Sequence, residues 1–309
     1  MKRTLILNLI LVCTLNGLLA ARGQLVLSGA NYLQDFNSIS NGLPAGWTVR
    51  TNATAVSLGT SVSFATAGKT WGDSTGAFGN CASTVSNTGT NFIGGESTTV
   101  QAACTNRALA IRQTATFGDP GAAFVLEIAN TVGLSNLGVS MDLELLKSNA
   151  YATTWTVDYA VGSNPTTFTS LGTFSDPGAF GATNRTFGLG ADANNQSSSV
   201  WIRISALAAA SGSSGSRDTF AIDNFLLTWS AIPANPPVII NLTTGNGNAY
   251  INFSGELNDS TNSFSLQSAA SLSDGFTDAA ATLTQTAPGS FQAVCGCGGG
   301  QQFFRVKRR

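Results

Sequence analysis

Apolar and polar residues alternate with a period of two in many short stretches of this chain, which is the pattern of half-buried β-strands. In residues 139–145 every second position is apolar, while Ser140, Asp142 and Glu144 occupy the positions between them. Glycine, proline, asparagine and aspartate separate the stretches, as turns require. About ten such stretches lie between residues 32 and 229 and none has the period of an amphipathic helix, so the pattern predicts an all-β sandwich or barrel.

The proline-rich segment Pro-Ala-Asn-Pro-Pro at residues 233–237 interrupts this pattern. Its composition is typical of a stiff linker, so we place it between a domain at residues 24–232 and a second domain at residues 238–309. Six further strand-like stretches occupy the second domain. Its size and pattern suit a small immunoglobulin-like or fibronectin-III-like β-sandwich.

Residues 1–23 have the features of a secretory signal peptide. Lys2 and Arg3 form a positively charged start, an apolar stretch follows, and Ala21-Arg22-Gly23 places small residues where a signal peptidase reads them. The apolar stretch is shorter than a membrane-spanning helix, which needs about 20 residues, and no later segment reaches that length. We therefore expect an exported protein, extracellular or at the cell surface, with no transmembrane segment in the mature chain.

Charged residues make up only 10% of the chain, against roughly 25% in an average globular protein. Once Lys2, Arg3 and Arg22 of the signal segment are set aside, acidic residues exceed basic residues by four. A mildly acidic surface disfavours nucleic acid as a partner, because phosphates bind to clustered lysine and arginine. Histidine is absent, which excludes Ser-His-Asp, Cys-His and His-zinc chemistry.

Without histidine we expect a non-catalytic protein. The catalytic alternative comes from Asp142 and Glu144, which share one face of a predicted strand, about 6.5–7 Å apart at the backbone. Two carboxyl groups near that separation are what a glycoside hydrolase needs. A glycoside hydrolase or polysaccharide lyase is therefore the alternative, although one acid pair on an ordinary strand is a weak signal.

Four cysteines lie beyond the signal segment, and an even number in an exported chain favours disulfide bonds. Cys81 and Cys104 flank a stretch rich in glycine, threonine and serine, and we predict a bond between them that staples this loop. Cys295 and Cys297 are separated by a single glycine. A direct bond between them would be strained, and free thiols or a bond to another chain are the alternatives.

Two stretches of the first domain resemble known modules. Residues 217–225, Arg-Asp-Thr-Phe-Ala-Ile-Asp-Asn-Phe, resemble the last strand of MAM domains and of calcium-containing carbohydrate-binding modules. Leu-Gln-Asp-Phe at residues 33–36, followed by Pro-Ala-Gly-Trp at residues 44–47, is similar to the start of those modules. The resemblance extends over residues 31–230 and is shared with secreted bacterial proteins. It implies a concanavalin-like jelly-roll β-sandwich.

The resemblance also implies a structural calcium site. In the resembled modules an acidic residue of the first strand and the aspartate of the last strand share Ca²⁺ with backbone carbonyls, and the matching positions here are Asp35 and Asp223. Carboxylate oxygens from separate strands suit this hard cation and would tie the ends of the domain together. The alternative is that Asp223 forms an Asx turn or caps a bulge in the last strand. No other cofactor is expected.

The polar face of the alternating strands carries a candidate sugar platform. Trp201 lies beside Arg203, and Asp158 and Glu144 lie on neighbouring predicted strands. An aromatic ring stacks on the apolar face of a pyranose, while charged groups exchange hydrogen bonds with its hydroxyls. The alternative is an outer sheet face on which arginine and carboxylates pair across strands.

Trp71 lies in a glycine-rich stretch at residues 71–78, which is predicted to be a loop at the rim of the sandwich. It either contributes to ligand binding or fixes the loop to the body of the domain. From the fold and the platform together we predict a secreted or cell-surface protein that binds a polysaccharide or cell-surface glycan without modifying it. A structural stalk without a ligand site is the alternative from a different class.

Overall fold

The computed structural model describes residues 23–212, 214–298 and 300–309. The predicted signal peptide therefore lies outside the described residues, except for Gly23. The chain divides into two compact units, with the division between Ala231 and Ile232. No helix in the part of the chain that the structure describes is long and apolar enough to cross a membrane.

Unit 1, up to Ala231, consists mainly of short strands, because poor helix formers dominate its sequence and aliphatic residues alternate with polar ones. One α-helix, α1 (Thr98–Ala103), is present in the described residues of this unit. The strands are β1 (Asn31–Gln34), β2 (Trp47–Thr51), β3 (Thr60–Ser61), β4 (Phe64–Lys69), β5 (Ala77–Ala82), β6 (Arg107–Arg112), β7 (Ala123–Ile128), β8 (Leu134–Lys147), β9 (Tyr151–Ala152), β10 (Thr154–Val161), β11 (Thr169–Ser175), β12 (Gly181–Gly188), β13 (Val200–Ser205), β14 (Ser211–Gly212) and β15 (Thr219–Ala231).

These strands form two main sheets that face each other, beside a short pair of β9 and β14. The seven-stranded sheet has the order β12-β8-β15-β6-β5-β4, with β1 also paired to β15. The six-stranded sheet has the order β11-β10-β13-β7-β2-β3. Within the sheets β4 and β5 run parallel, whereas pairs such as β8 and β12 are antiparallel. The prediction of an all-β jelly-roll sandwich is confirmed.

The apolar positions of the alternating strands fill the space between the two sheets. Trp155 on β10 stacks on Phe220 on β15, with ring centroids 4.3 Å apart and planes 18° apart. Phe124 on β7 lies against both rings. Because Trp155 and Phe220 belong to opposite sheets, their contact joins the two layers directly. Such aromatic pairs contribute roughly 0.5–1.5 kcal/mol beyond the area that they bury.

A bulge in β15 changes the parity of its buried positions. Ile222 and Phe225 both lie in the core, although an even alternation would place them on opposite faces. The register of β15 against β8 shifts between Asp223 and Leu226, and Asn224 supplies the bulge with a φ of 49°. The Asp223 carboxylate accepts a hydrogen bond from the Asn224 backbone nitrogen at 2.7 Å. Asp223 therefore caps a bulge in the last strand.

Loops cover the outer faces of both sheets. Over the seven-stranded sheet, Trp71 from the connection between β4 and β5 packs in a small apolar cluster with residues of the strands beneath it, such as Ala110 and Leu146. Trp71 is buried and its Nε1 donates to the Ala82 carbonyl at 2.8 Å, so this side chain fixes its loop to the body of the unit. Over the six-stranded sheet, Ala53 and Phe168 cluster with Trp201.

Unit 2, from Ile232 to Arg309, is a smaller pair of sheets around its own core. Phe253, Phe264 and Phe291 occupy the centre, with ring centroids 4.9–5.5 Å apart. The strands are β16 (Val238–Gly245), β17 (Asn248–Ser254), β18 (Phe264–Ala269), β19 (Thr277–Asp278), β20 (Ala281–Ala287), β21 (Ser290–Gly296) and β22 (Phe303–Arg308). Their orders are β16-β17-β21-β20 and β19-β18-β22.

Strand β16 lies at one edge of the four-stranded sheet, and all eight of its residues are exposed. Val238 and Ile240 are more than half exposed, and the strand contains no charged residue. Its pairing with β17 is interrupted by a register shift between Ile239 and Asn241.

Replacing Phe220 with alanine should lower the free energy of unfolding of unit 1 by about 3–5 kcal/mol, because the substitution leaves a cavity between the sheets. Urea unfolding followed by tryptophan fluorescence measures this unit alone, since all five tryptophans of the chain precede Ile232. Leu33→Ala, at a side chain that is 60% exposed, is the control and should change the value by less than about 0.5 kcal/mol. Equal losses in both variants would contradict the assigned role of Phe220.

Candidate functional site

Arg203 on β13 is fully buried and forms a bidentate ion pair with Asp158 on β10. Its Nε lies 2.9 Å from Oδ1, and its Nη2 lies 2.7 Å from Oδ2. Nη1 donates to the carbonyls of Thr54 and Ser57, in the connection between β2 and β3. Phe168 lies against the guanidinium, 3.7 Å from ring centroid to Cζ. Arginine and aspartate thus pair across strands, and the pair holds a loop over the six-stranded sheet.

The loop encloses Trp201, which is only 5% exposed. Its Nε1 donates to the Gly162 carbonyl at 2.7 Å, and the Arg50 guanidinium lies 5.7 Å from the ring centroid. A pyranose has no room to stack on a ring enclosed in this way. The structure therefore corrects the prediction of an open sugar platform at Trp201, Arg203 and Asp158.

Glu144 is separated from these three residues, because it lies on β8 in the other sheet and is 1% exposed. Its Oε1 accepts hydrogen bonds from the hydroxyls of Ser83 and Thr84 at 2.7 and 2.8 Å. Its Oε2 accepts from the Thr84 backbone nitrogen at 3.2 Å. Burial raises the pKa of Glu144 to about 7 despite these donors. The enclosed carboxyl group corrects the expectation that Glu144 belongs to the platform, and it forms no substrate-accessible acid pair with Asp142.

Asp223 on β15 is fully buried close to Glu144. Its Oδ1 accepts from Asn224, whereas Oδ2 is buried and has no hydrogen-bond partner among the described residues. Burial, and then the charge of Glu144, raise the pKa of Asp223 to about 8, and the nearby Ser83 hydroxyl opposes this rise in part. Two carboxyl groups, one with an oxygen that lacks a donor, and the hydroxyls beside them are hard oxygen ligands of the kind that Ca²⁺ prefers.

Asp35, the other predicted calcium ligand, is exposed just after β1. Its two oxygens accept hydrogen bonds from the backbone nitrogen and the Nδ2 of Asn37, at 3.1 and 2.9 Å. The acidic side chains that raise the pKa of Asp223 are therefore Glu144 and, less strongly, Asp142, rather than Asp35. Within residues 23–212, 214–298 and 300–309, no group of three or more acidic or cysteine side chains is arranged to hold a metal ion.

Cys81 and Cys104 are free thiols, which corrects the predicted disulfide bond. Both pack in the apolar cluster on the seven-stranded sheet, where burial raises the pKa of Cys81 to about 12. The Cys104 thiol lies 3.3 Å from the Asn106 carbonyl and donates to it. Apolar packing and hydrogen bonds therefore hold this loop. Cys295 and Cys297 of unit 2 are also free thiols.

A second pair of buried carboxyl groups, Asp176 and Asp218, escaped the sequence analysis. Asp176 accepts hydrogen bonds from the Thr153 backbone nitrogen at 2.7 Å and from Trp155 Nε1 at 2.9 Å. Asp218 accepts from the backbone nitrogen of Asn149. Burial raises the pKa of Asp176 to about 7 and also raises that of Asp218, and the negative charge of Asp218 adds to the effect on Asp176. In the sequence Asp176 only marks an Asp-Pro-Gly turn.

An open groove of about 460 Å³, which no sequence pattern indicates, lies at the β4 edge of the seven-stranded sheet. Its floor is made by the buried side chains of Asn80, Cys104 and Arg107. Its rim carries exposed hydroxyl and amide groups from three segments of unit 1, together with Lys69. The register of the parallel pair β4–β5 shifts just before Gly68, at the same edge.

Arg107 organises the floor of the groove. Its Nε and Nη2 donate to the side-chain and backbone oxygens of Asn80, at 2.6 and 2.9 Å. Its Nη1 donates to the carbonyls of Gln101 and Cys104, each at 3.1 Å, at the end of α1. Its backbone nitrogen donates to Asn37 Oδ1 at 2.7 Å. One guanidinium therefore connects β5, β6 and α1, and no local sequence motif indicates this role.

The sequence matches no family model and no curated protein. Among solved structures, the CBM22-1 xylan-binding domain from Paenibacillus barcinonensis Xyn10C is 14% identical, with a TM-score of 0.35, and the match covers 67% of this chain and 100% of that domain. A cleaved adhesin domain of Lys-gingipain from Porphyromonas gingivalis is 12% identical, with a TM-score of 0.36, over 65% of this chain and 98% of that one.

A third structure, the N-terminal xylanase modules of Clostridium thermocellum Xyn10B in complex with xylohexaose, is 10% identical with a TM-score of 0.37. The match covers 67% of this chain and 30% of that protein. At these identities the similarities concern the arrangement of strands alone.

The raised pKa values predict that unit 1 becomes less stable as the pH rises. A carboxyl group whose pKa is higher in the folded state contributes stability that is complete below its unfolded pKa, about 4, and is lost as the pH rises through the folded value. For Asp176 the loss should extend to about pH 7, and Asp218, Glu144 and Asp223 are shifted in the same direction. Urea unfolding at pH values from 4 to 8, followed by tryptophan fluorescence, measures the slope.

Asp218→Asn should make this slope shallower, because it removes the negative neighbour of Asp176 while its amide oxygen still accepts from Asn149. Asp35→Asn, at an exposed carboxyl group, is the matched control and should keep the wild-type slope. A curve for Asp218→Asn that superimposes on wild type would refute the coupling between Asp176 and Asp218.

Proposed function

We propose that unit 1 is a non-catalytic carbohydrate-binding module of an exported protein. The observation that supports this function is the groove at the β4 edge, which combines a buried polar floor with an exposed polar rim. Its volume of about 460 Å³ lies in the usual range of ligand sites, roughly 300–1,000 Å³. An open groove also lets a polymer enter and leave at its ends, which an enclosed pocket does not.

The chemistry of the lining suits a ligand rich in hydroxyl groups. Ser40, Thr70 and Thr105 carry hydroxyls, which can both donate and accept hydrogen bonds. The amides of Asn37 and Asn80 complete the polar lining, with their oxygens and nitrogens bonded to other residues of unit 1. Sugar hydroxyls are themselves donors and acceptors and pair readily with such groups.

A binding role is favoured over hydrolysis because the side chains that line the groove include no aspartate or glutamate. Glycoside hydrolysis needs a carboxylic acid and a second carboxylate on either side of the bond to be cleaved. Asp142 and Glu144, the acid pair that the sequence offered for hydrolysis, cannot act together on a substrate, because Glu144 is buried and bonded to Ser83 and Thr84. That the protein is exported is part of this proposal, and the support for it is the signal-peptide pattern of residues 1–23.

We also propose that unit 1 binds a structural Ca²⁺ beside Asp223. Support comes from the buried Oδ2 that lacks a donor and from the neighbouring carboxyl group of Glu144. A cation there would offset the cost of burying two carboxylates so close together. The hydroxyls of Ser83 and Thr84 are further oxygen ligands within reach of Glu144. Asp35 is not needed for this arrangement.

Ala102→Trp should abolish polysaccharide binding, because Ala102 lines the groove and a large ring there would fill it. Affinity electrophoresis of the mature protein in gels containing a panel of plant, algal and bacterial polysaccharides measures the loss. Val100→Trp is the matched control, since Val100 is exposed on the same helix but does not line the groove. If both variants bind as wild type does, the groove is not the binding site.

Calcium should raise the melting temperature of unit 1, measured by tryptophan fluorescence in chelator and then in excess CaCl₂. At about 100 times the Kd the stabilisation is about 2.7 kcal/mol. Asp223→Asn should remove this response, while in chelator it remains at least as stable as wild type because the amide relieves the repulsion from Glu144. Asp35→Asn should respond as wild type does. Identical melting of the wild type with and without calcium would rule out the site.

A further inference from the structure

We propose that the polysaccharide bound in the groove is acidic, and that Arg107 and Lys69 bind its anionic groups. This inference rests on the proposed function, that is, on the groove being the carbohydrate site. It extends that function by naming the chemical class of the ligand.

The first observation is a buried cation without a counter-ion. Arg107 is 7% exposed, and the four acceptors of its guanidinium are uncharged: an amide oxygen and a carbonyl of Asn80, and the carbonyls of Gln101 and Cys104. No carboxylate within the described residues forms an ion pair with it. A positive charge removed from water without a negative partner is unfavourable, and an anion arriving in the groove would supply that partner.

The second observation is that this cation can be approached from the groove. Gly68 stands over the guanidinium, and a Cβ built there would lie 3.4 Å from Nη2. Because glycine has no side chain, that side of Nη2 is left uncovered. Nη2 has two hydrogens and donates one of them to the Asn80 carbonyl. The other is available for an oxyanion, and a charge-assisted bond of this kind is about twice as strong as a neutral one.

Lys69 supplies a second positive charge beside the first. Its side chain lines the same groove, and its Nζ lies 2.9 Å from Asp73 Oδ2. The aliphatic part of Lys69 lies over Gly79, where an added Cβ would be 2.4 Å from Cδ. The glycine therefore lets the lysine lie flat along the sheet, with its ammonium group held by Asp73, which does not line the groove.

The balance of charges and rings in the groove also favours an acidic ligand. Unit 1 carries more acidic than basic residues after the signal segment, yet no carboxylate lines the groove, whose lining includes Arg107 and also Lys69 in its ion pair with Asp73. Aromatic side chains are likewise missing from its lining, so stacking on a pyranose is not a source of affinity here. Hydrogen bonds and charge must provide it. A uronate carboxylate and a sulfate ester share the oxyanion chemistry that Arg107 recognises.

A pair of substitutions at Gly68 tests this inference. Gly68→Asp places a carboxylate next to Arg107 Nη2, where it competes with the anion of the ligand, whereas Gly68→Asn places a group of the same size and no charge there. Gly68 does not have a positive φ, so both side chains are compatible with its backbone. The mature protein is titrated with polygalacturonate, with dextran sulfate and with neutral xylan, at low and moderate salt.

Wild type should bind at least one acidic polymer more tightly than xylan, with an affinity that falls as salt increases. Gly68→Asp should weaken binding to that polymer by about tenfold or more, and Gly68→Asn by no more than about threefold. Lys69→Gln, which removes the positive charge, should also weaken it. Tryptophan fluorescence checks that each variant is folded. Preference for polygalacturonate identifies a carboxylate, and preference for dextran sulfate identifies a sulfate.

Failure of the acidic-ligand proposal and failure of the proposed carbohydrate site give different binding results. If xylan or another neutral polymer binds as tightly and Gly68→Asp has no more effect than Gly68→Asn, the groove is a carbohydrate site but the acidic ligand is refuted. If wild type binds no polymer of the full panel, the proposed function itself is refuted. If an acidic polymer binds and Ala102→Trp does not disturb it, the anion is bound elsewhere and Arg107 has no part in it.

Discussion

The contact between Trp155 and Phe220 is the interaction on which the rest of unit 1 depends. The two rings come from opposite sheets, and their stacking fixes the distance and the relative position of the layers. Burying an indole also requires an acceptor for its N–H, which Asp176 provides from the end of β11. A carboxyl group is thereby drawn into the edge of the core, next to Asp218. The raised pKa of Asp176 is thus a consequence of the hydrogen-bond acceptor that the buried Trp155 indole requires.

On both outer faces of the sandwich an amphipathic side chain joins a covering segment to a strand by bonding to backbone carbonyls. Arg203 extends from β13 to the loop over the six-stranded sheet, and Trp71 extends from the loop over the seven-stranded sheet to Ala82 in β5. With the central strands covered in this way, the groove at the β4 edge lies beside the covering segments rather than on an open sheet face. At this edge Arg107 likewise bonds to a backbone carbonyl of a covering segment, at the end of α1. Unlike Arg203 and Trp71, it lies at the bottom of an open groove.

Alternation in the sequence predicted many strands of unit 1 and the side of each that faces the core, because the direction of a strand side chain follows from its parity. Met141 and Trp155 lie in the core for that reason. Alternation did not predict β5, whose residues are buried on both sides and do not alternate. Parity does not reveal which strands pair, so Trp201 and Glu144 looked like neighbours although they belong to different sheets. Nor does it reveal which loops fold back over a polar face. The groove was unpredictable because Asn80 and Arg107 are isolated polar residues brought together by long-range pairing of β5 with β6.

The exposed strand β16 of unit 2 has a consequence for how this protein behaves at high concentration. An edge strand without charges presents unpaired backbone groups beside aliphatic side chains, which is a template for adding another extended chain. Natural edges are usually blunted by lysine, proline or a bulge. In this chain that protection comes from Pro236 and Pro237, which precede β16, and from the register shift after Ile239. We therefore expect a few residues outside the core to influence whether copies of this protein associate through β16.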